Sequence, residues 1–326
     1  MVQYHPTRDQ RNLAAMLEDA LIAILPLERL HTQAGESETT WSELEALGLF
    51  GLSLPESEGG SGLGAAEEVL AAAALGRRLA NPCVFARLGA AHARRGRGRL
   101  PAGPVSVAFA GGSGPIAVHD PLAHIVLVRE PDGAALYELS GEDRAAIDSP
   151  WLDRLVRLES LSEPLATFDD AGLLRLRLID AAALAGVADA ALRAAVAYAG
   201  VREQFGRPIG SFQAVKHHCA DMAVRTREAL DLSTFAAVAI DQRRPEAAFL
   251  VDSAFVSAAT AALFCAGKNI QIHGGIGFSE EADAHLALKR TRLLTAIGGG
   301  LEPTLERLGA VADLSSAAPP RAWAME

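Results

Sequence analysis

Arg202-Glu203-Gln204-Phe205-Gly206-Arg207-Pro208-Ile209-Gly210-Ser211-Phe212-Gln213 interrupts two long helical patterns. The runs over 180–203 and 211–243 carry apolar residues at helical spacing, while Gly206, Pro208 and Gly210 supply the break between them. That arrangement predicts two antiparallel helices joined by a tight connection. Helical patterns continue over 245–272 and 280–294, separated by Gln271-Ile272-His273-Gly274-Gly275-Ile276-Gly277. A C-terminal four-helix bundle over 173–313 is therefore expected, followed by an Ala/Pro-rich tail over 314–326.

Ahead of the bundle the texture shortens. Val105-Ser106-Val107-Ala108-Phe109, Ile116-Ala117-Val118, Ile125-Val126-Leu127-Val128 and Ala135-Leu136-Tyr137-Glu138-Leu139 are separated by Gly111-Gly112-Ser113-Gly114, Pro121 and Pro131-Asp132-Gly133. These runs predict a small β domain over 104–172. Residues 1–103 return to helix: Leu13, Leu17, Leu21 and Leu25 recur at about one turn, and 65–80 is an Ala/Leu run. The basic, Gly/Pro-rich segment 94–104 reads as a linker. The predicted class is mainly α, ordered as helical domain, small β domain and helical bundle.

Composition narrows the function. Half of the 326 residues are hydrophobic and 21% are charged, enough apolar material for a packed core. A formal charge of −10 opposes attraction to nucleic acid or to anionic lipid. Cys83, Cys219 and Cys265 are too far apart for a metal site or a disulfide framework, so they read as core and fit a reducing cytoplasm. The polar N-terminus lacks the apolar core of an export signal. The most lipid-like stretch, 181–200, carries Asp189 and Arg193 and reads as a buried helix rather than a membrane span.

The connection at 202–213 also carries chemistry. Arg202 presents a guanidinium suited to a pyrophosphate, Phe205 a ring face and Gln213 an amide, a set that suits a dinucleotide. Gln271 offers a second amide beside Gly274 and Gly275, whose missing Cβ atoms allow close approach of a ligand. An arginine at a helix end and glycines after a helix also occur simply as caps. His217 and His218 point about 100° apart on a helix and make a poor shared metal site.

Taken together, the 202–213 and 271–277 motifs closely resemble the C-terminal domain of the acyl-CoA dehydrogenase family. Leu47-Gly48-Leu49-Phe50-Gly51-Leu52 and Pro55-Glu56-Ser57-Glu58-Gly59-Gly60-Ser61-Gly62 resemble its N-terminal domain. The resemblance implies FAD as cofactor and an acyl-CoA thioester as substrate, with electron-transfer flavoprotein as the electron acceptor. It also implies that Arg202, Gln204, Phe205, Gln213, Gln271, Gly274 and Gly275 contact the ADP half of a FAD bound mainly by a partner subunit.

The departures from the family matter as much. Its reaction needs a carboxylate base to take the α proton, at one of two positions that fall here on Gly298 and Leu176. The residues over 104–170 also lack the family's flavin-contacting segments: Gly112-Ser113-Gly114 is a remnant, and Trp151 lacks the companion threonine. No catalytic residue is assigned. The resemblance is strongest to the shortened subunit of actinobacterial heterotetrameric acyl-CoA dehydrogenases of steroid degradation, which implies a longer acyl-CoA dehydrogenase subunit as partner. A homomeric enzyme with a displaced base, at Asp180, Glu280 or Glu302, and a flavin-free scaffold remain open. Asp180 is otherwise expected to cap the helix it begins, Glu280 to sit in a first turn and His273 to cap a helix end.

Overall fold

The structure is a computed structural model and describes residues 5–31, 35–95, 103–111, 114–131, 133–139, 144–147 and 152–311. The tail expected over 314–326 lies outside them, as do Gly112, Ser113, Asp132 and Trp151. Four helices come first: α1 (Arg8–Ile24), α2 (Glu38–Ala46), α3 (Ala65–Arg77) and α4 (Pro82–Gly89). Local chemistry starts them. Thr7 and Gln10 close a capping box at α1, and Asn81 caps α4 with Pro82 at its first position.

Eight strands follow: β1 (Arg94–Arg95), β2 (Val105–Phe109), β3 (Ile116–Val118), β4 (Ile125–Glu130), β5 (Gly133–Glu138), β6 (Arg144–Ile147), β7 (Leu155–Leu158) and β8 (Ala166–Thr167). They form one sheet in the order β1-β8-β5-β4-β2-β3-β7-β6. Among the described residues only the β2–β4 pair is parallel. The segment expected to be a linker thus begins with an edge strand, Arg94 pairing with Thr167.

The C-terminal helices are α5 (Asp170–Val201), α6 (Gln213–Asp241), α7 (Ala247–His273), α8 (Leu286–Ile297) and α9 (Leu301–Val311). Four expectations need correction. First, α5 begins at Asp170 under the Asp169 cap, so Asp180 lies well inside the helix and caps nothing. The alternation in Leu174-Arg175-Leu176-Arg177-Leu178 imitates a strand, but Arg175 pairs with Glu68 of α3 at 2.9 Å while Arg177 faces Asp252 of α7 at 3.8 Å. Positions two apart point to opposite sides on a helix, and this helix has an oppositely placed acid for each arginine. Second, α8 starts at Leu286 after short 3₁₀ turns, leaving Glu280 in a turn. Third, α9 adds a fifth helix to the expected four. Fourth, among the described residues the helix apolar and long enough on composition to cross a bilayer is α7 with its extension to Phe278, rather than 181–200; half of its most apolar window is buried within the protein.

One close contact holds the N-terminal helices on the bundle. A Cβ at Gly76 of α3 would stand 2.2 Å from the Ala183 carbonyl oxygen, and one at Gly186 of α5 would stand 2.2 Å from that of Ala73. The backbones touch where any side chain would part them. Gly186→Ala is expected to destabilise the protein by about 1–3 kcal/mol in urea unfolding, although alanine is intrinsically the better helix former by ~1 kcal/mol. Unchanged or increased stability would show that the crossing can relax.

Candidate functional site

The end of α5 is shaped by a two-residue reversal. Its C-cap, Arg202, is extended and leads into β9 (Glu203–Gln204), which pairs with β10 (Arg207–Pro208). Phe205 and Gly206 between them have φ of 55° and 76°, the left-handed pair that a tight hairpin with native strand twist requires. Glycine accepts this freely, whereas Phe205 adopts it at a cost and leaves its ring 92% exposed. That ring stands edge-on to Phe212 with centroids 6.1 Å apart, and the Arg207 guanidinium lies 4.2 Å over the Phe212 ring. A hydrogen bond of 2.7 Å from Ile209 N to the Arg202 carbonyl closes the loop and delivers Gln213 to the first turn of α6.

The second motif arrives at the same end of the bundle. Gly274, at φ 67°, terminates α7. His273 just before it stacks on Tyr198 of α5 with centroids 4.0 Å apart, and its Nδ1 bonds the Asn269 carbonyl at 2.8 Å. The stack joins the last turns of α5 and α7, so Arg202, Gln204, Phe205, Gln213, Gln271, Gly274 and Gly275 all come to one end of the bundle. Each is exposed. Arg202 has no ion pair among the described residues. A Cβ at Gly274 or Gly275 would meet nothing within 4 Å. An unpaired guanidinium, a bare ring and open backbone form one wall for a ligand carrying both phosphate and a flat ring. The donor set is of a kind that could hold the ADP half of a dinucleotide. Exposed Ile276 and Phe278 extend the apolar part of this surface.

The positions expected for a base are elsewhere, between the bundle and the sheet. Gly298 caps the C-terminus of α8. A Cβ there would stand 2.4 Å from Cε2 of Phe255, whose ring is 2% exposed, and 3.4 Å from Asp180 Oδ2. Leu176 is buried against α4, its Cδ2 filling the space beside Gly89. Asp180 is buried and pairs at 3.0 Å with Arg129 of β4. Burial pushes its carboxyl up, against the opposing pull of Arg129 and Arg177. Glu280 and Glu302 are exposed. Beside Gly298 a cleft of about 170 Å³ opens between the sheet and helices α5, α8 and α9.

Sequence reasoning missed Arg129 and the Tyr198–His273 stack. Nothing in a strand marks one arginine as a partner for a helix 51 positions on, but Tyr198 lies one turn before Arg202 and its position was readable. Cys83 and Cys265 are buried, with Cys83 Sγ bonded to the Val118 carbonyl at 3.4 Å, while Cys219 is half-buried.

Comparison with known proteins places this geometry. The model for the acyl-CoA dehydrogenase N-terminal domain matches residues 7–93, and that for the C-terminal domain matches residues 169–312. Acyl-CoA dehydrogenase IpdE2 of Mycobacterium tuberculosis is 32% identical over 266 residues, covering 78% of this chain and 81% of the relative. Acyl-CoA dehydrogenase FadE34 of the same organism is 45% identical over 135 residues, 40% of this chain and only 19% of that much longer protein. Among solved structures, the ChsE4-ChsE5 complex from Mycobacterium tuberculosis contains a chain that superposes with TM-score 0.72 at 22% identity, covering 97% of this chain and 100% of that one. A chain of the Tcur3481-Tcur3483 steroid ACAD variant superposes with TM-score 0.73 at 24% identity, over 95% and 99% of the two chains. Two domain matches in family order on either side of the sheet, and a relative aligned over most of its length, leave one assignment: the chain belongs to the acyl-CoA dehydrogenase family.

Proposed function

We propose that this chain is the shortened, non-catalytic subunit of a cytoplasmic FAD-dependent acyl-CoA dehydrogenase that desaturates a steroid-derived acyl-CoA thioester, a reading supported by the steroid ACAD among its structural neighbours. In this reading a longer acyl-CoA dehydrogenase subunit supplies the base and the flavin-ring site of an α2β2 heterotetramer, and electron-transfer flavoprotein receives the electrons. When bound, FAD supplies the two-electron oxidation of the thioester. This chain supplies the far end: Arg202 meets the pyrophosphate, Phe205 lies against a ring, and Gln204, Gln213 and Gln271 offer amides beside Gly274 and Gly275. The observation that carries the proposal is the filled base position, where Phe255 occupies the direction a side chain at Gly298 would take.

The test is co-expression with a longer homologue and measurement of bound flavin. Arg202→Ala in the assembled complex should weaken flavin retention about ten- to a hundredfold, since a charge-assisted contact is worth ~1.5–3 kcal/mol, while turnover at saturating FAD stays within a few-fold. Unchanged flavin occupancy on dilution would remove Arg202 from the site. A complex that turns over without bound flavin in this chain's neighbourhood would favour the scaffold role.

A second reading has one observation behind it: Asp180, with its carboxyl pushed up by burial, stands beside Gly298 and the cleft. Asp180→Asn, Glu280→Gln and Glu302→Gln should each leave turnover of the complex within a few-fold. Loss of a true general base costs roughly 10²–10⁴-fold, so such a drop with assembly and flavin content intact would transfer the base to this chain.

A further inference from the structure

Among the described residues, the charges around the cleft beside Gly298 do not cancel. Arg129 is held by Asp180 at 3.0 Å, and Arg307 of α9 reaches both oxygens of Asp252 at 2.9 and 3.0 Å. Arg177 lies between these pairs and touches Asp252 only at 3.8 Å, on a carboxylate that Arg307 already occupies. Three guanidiniums thus share two buried carboxylates. Glu130 also borders the cleft, but it is exposed on the rim, where water and salt screen it. Arginine cannot shed its charge by losing a proton, so the excess remains at neutral pH. The Arg177 side chain is 23% exposed, open to the cleft yet largely removed from water.

The rest of the wall is hydrocarbon, from Phe109, Leu173, Ile297 and Pro303. A single excess positive charge beside an apolar wall matches a monoanion with a hydrocarbon body. A phosphate dianion would lose more hydration than one unpaired guanidinium returns. The volume of about 170 Å³ is close to that of an engineered cavity of ~150 Å³ that admits benzene, which sets the size at a six-membered ring or a short chain. We propose that this cleft binds a small organic carboxylate, its carboxylate on Arg177 and its hydrocarbon body against Phe109, Leu173, Ile297 and Pro303. The ligand needs neither flavin nor a partner chain, so the inference stands or falls apart from the proposed subunit role.

Calorimetric titration of the full chain, in whichever assembly it purifies, tests it with cyclohexanecarboxylate, cyclohexanecarboxamide and inorganic phosphate as probes. The carboxylate should bind at least about tenfold more tightly than the amide and than phosphate. Arg177→Gln should erase the preference of acid over amide, and Arg177→Lys should keep part of it. Ala296→Leu, which fills the mouth of the cleft, should weaken both organic probes while sparing the folded state in thermal melts. If Arg177→Gln does not fold, Arg177→Lys and Ala296→Leu carry the decision. Equal binding of acid and amide, tighter binding of phosphate, no binding at millimolar ligand, or binding unaltered in the variants would each overturn the proposal.

Discussion

Arg290→Met should cost about 3–5 kcal/mol of stability, read as a shift in the urea unfolding midpoint. Arg290 is the largest of the fully buried side chains, at 1% exposure. Its Nη1 and Nη2 donate to the two oxygens of Asp153 at 2.5 and 3.2 Å, and Asn81 Nδ2 donates to the same carboxylate at 2.8 Å. Arg290 belongs to α8, Asn81 caps α4, and Asp153 precedes β7, so one carboxylate ties all three parts of the protein together. Methionine fills the space but leaves Asp153 buried with a single neutral donor. The penalty is the stranded charge, not the loss of the pair's net attraction, which burial largely offsets. Arg290→Met combined with Asp153→Leu should therefore recover much of the loss. A single variant within about 1 kcal/mol of the parent would mean that water reaches Asp153 or that the carboxylate finds another partner.

The second large effect is expected where the family would place its base. Gly298→Glu should fail to create a dehydrogenase active site in this chain and should destabilise it by several kcal/mol. Gly298 has φ −71°, so the backbone is not the obstacle. The obstacles are the Phe255 ring in the path of the new Cβ and Asp180 Oδ2 just beyond it, so the added carboxylate would overpack a buried ring and stand beside a like charge. Gly298→Ala isolates the steric part at about 1–3 kcal/mol. Phe255→Ala in the Gly298→Glu background should give back part of the loss, a coupling that a double-mutant cycle measures directly. Flavin-dependent desaturation by purified Gly298→Glu chain alone would show instead that the rest of an active site is already present.

These predictions rest on different kinds of information. The order of helical domain, sheet and bundle was legible because amphipathic periods and Gly/Pro breaks are local properties of the chain. The cluster at 202–213 was legible for the same reason: a hairpin turn at Phe205-Gly206 and the helix ends around it bring Arg202 and Gln213 together within a dozen residues. The convergence of that cluster with 271–277 followed from the antiparallel run of α5, α6 and α7. What local pattern misplaced was the start of α5, expected at Asp180 and found at Asp170 under the Asp169 cap, because the stretch before Asp180 holds its arginines through Glu68 and Asp252 of other helices.

The residues themselves determined that neither expected base position carries a carboxylate, since Gly298 and Leu176 are what they are in any fold. Only the tertiary structure decided what stands there instead. Phe255 is 43 positions from Gly298, Arg129 is 51 from Asp180, and Arg290 is 137 from Asp153. Contacts at such separations are set by how the sheet docks against α5, α7 and α8, and no helical or strand period encodes them. Buried ion pairs depend on that docking most of all, because a charge removed from water is tolerated only where its partner is delivered to within hydrogen-bonding distance. The sequence therefore determined the order of elements and the exposed cluster at 202–213, whereas packing at the sheet–bundle junction decided that the expected base position is closed by a ring and that Arg177 shares its carboxylate with Arg307.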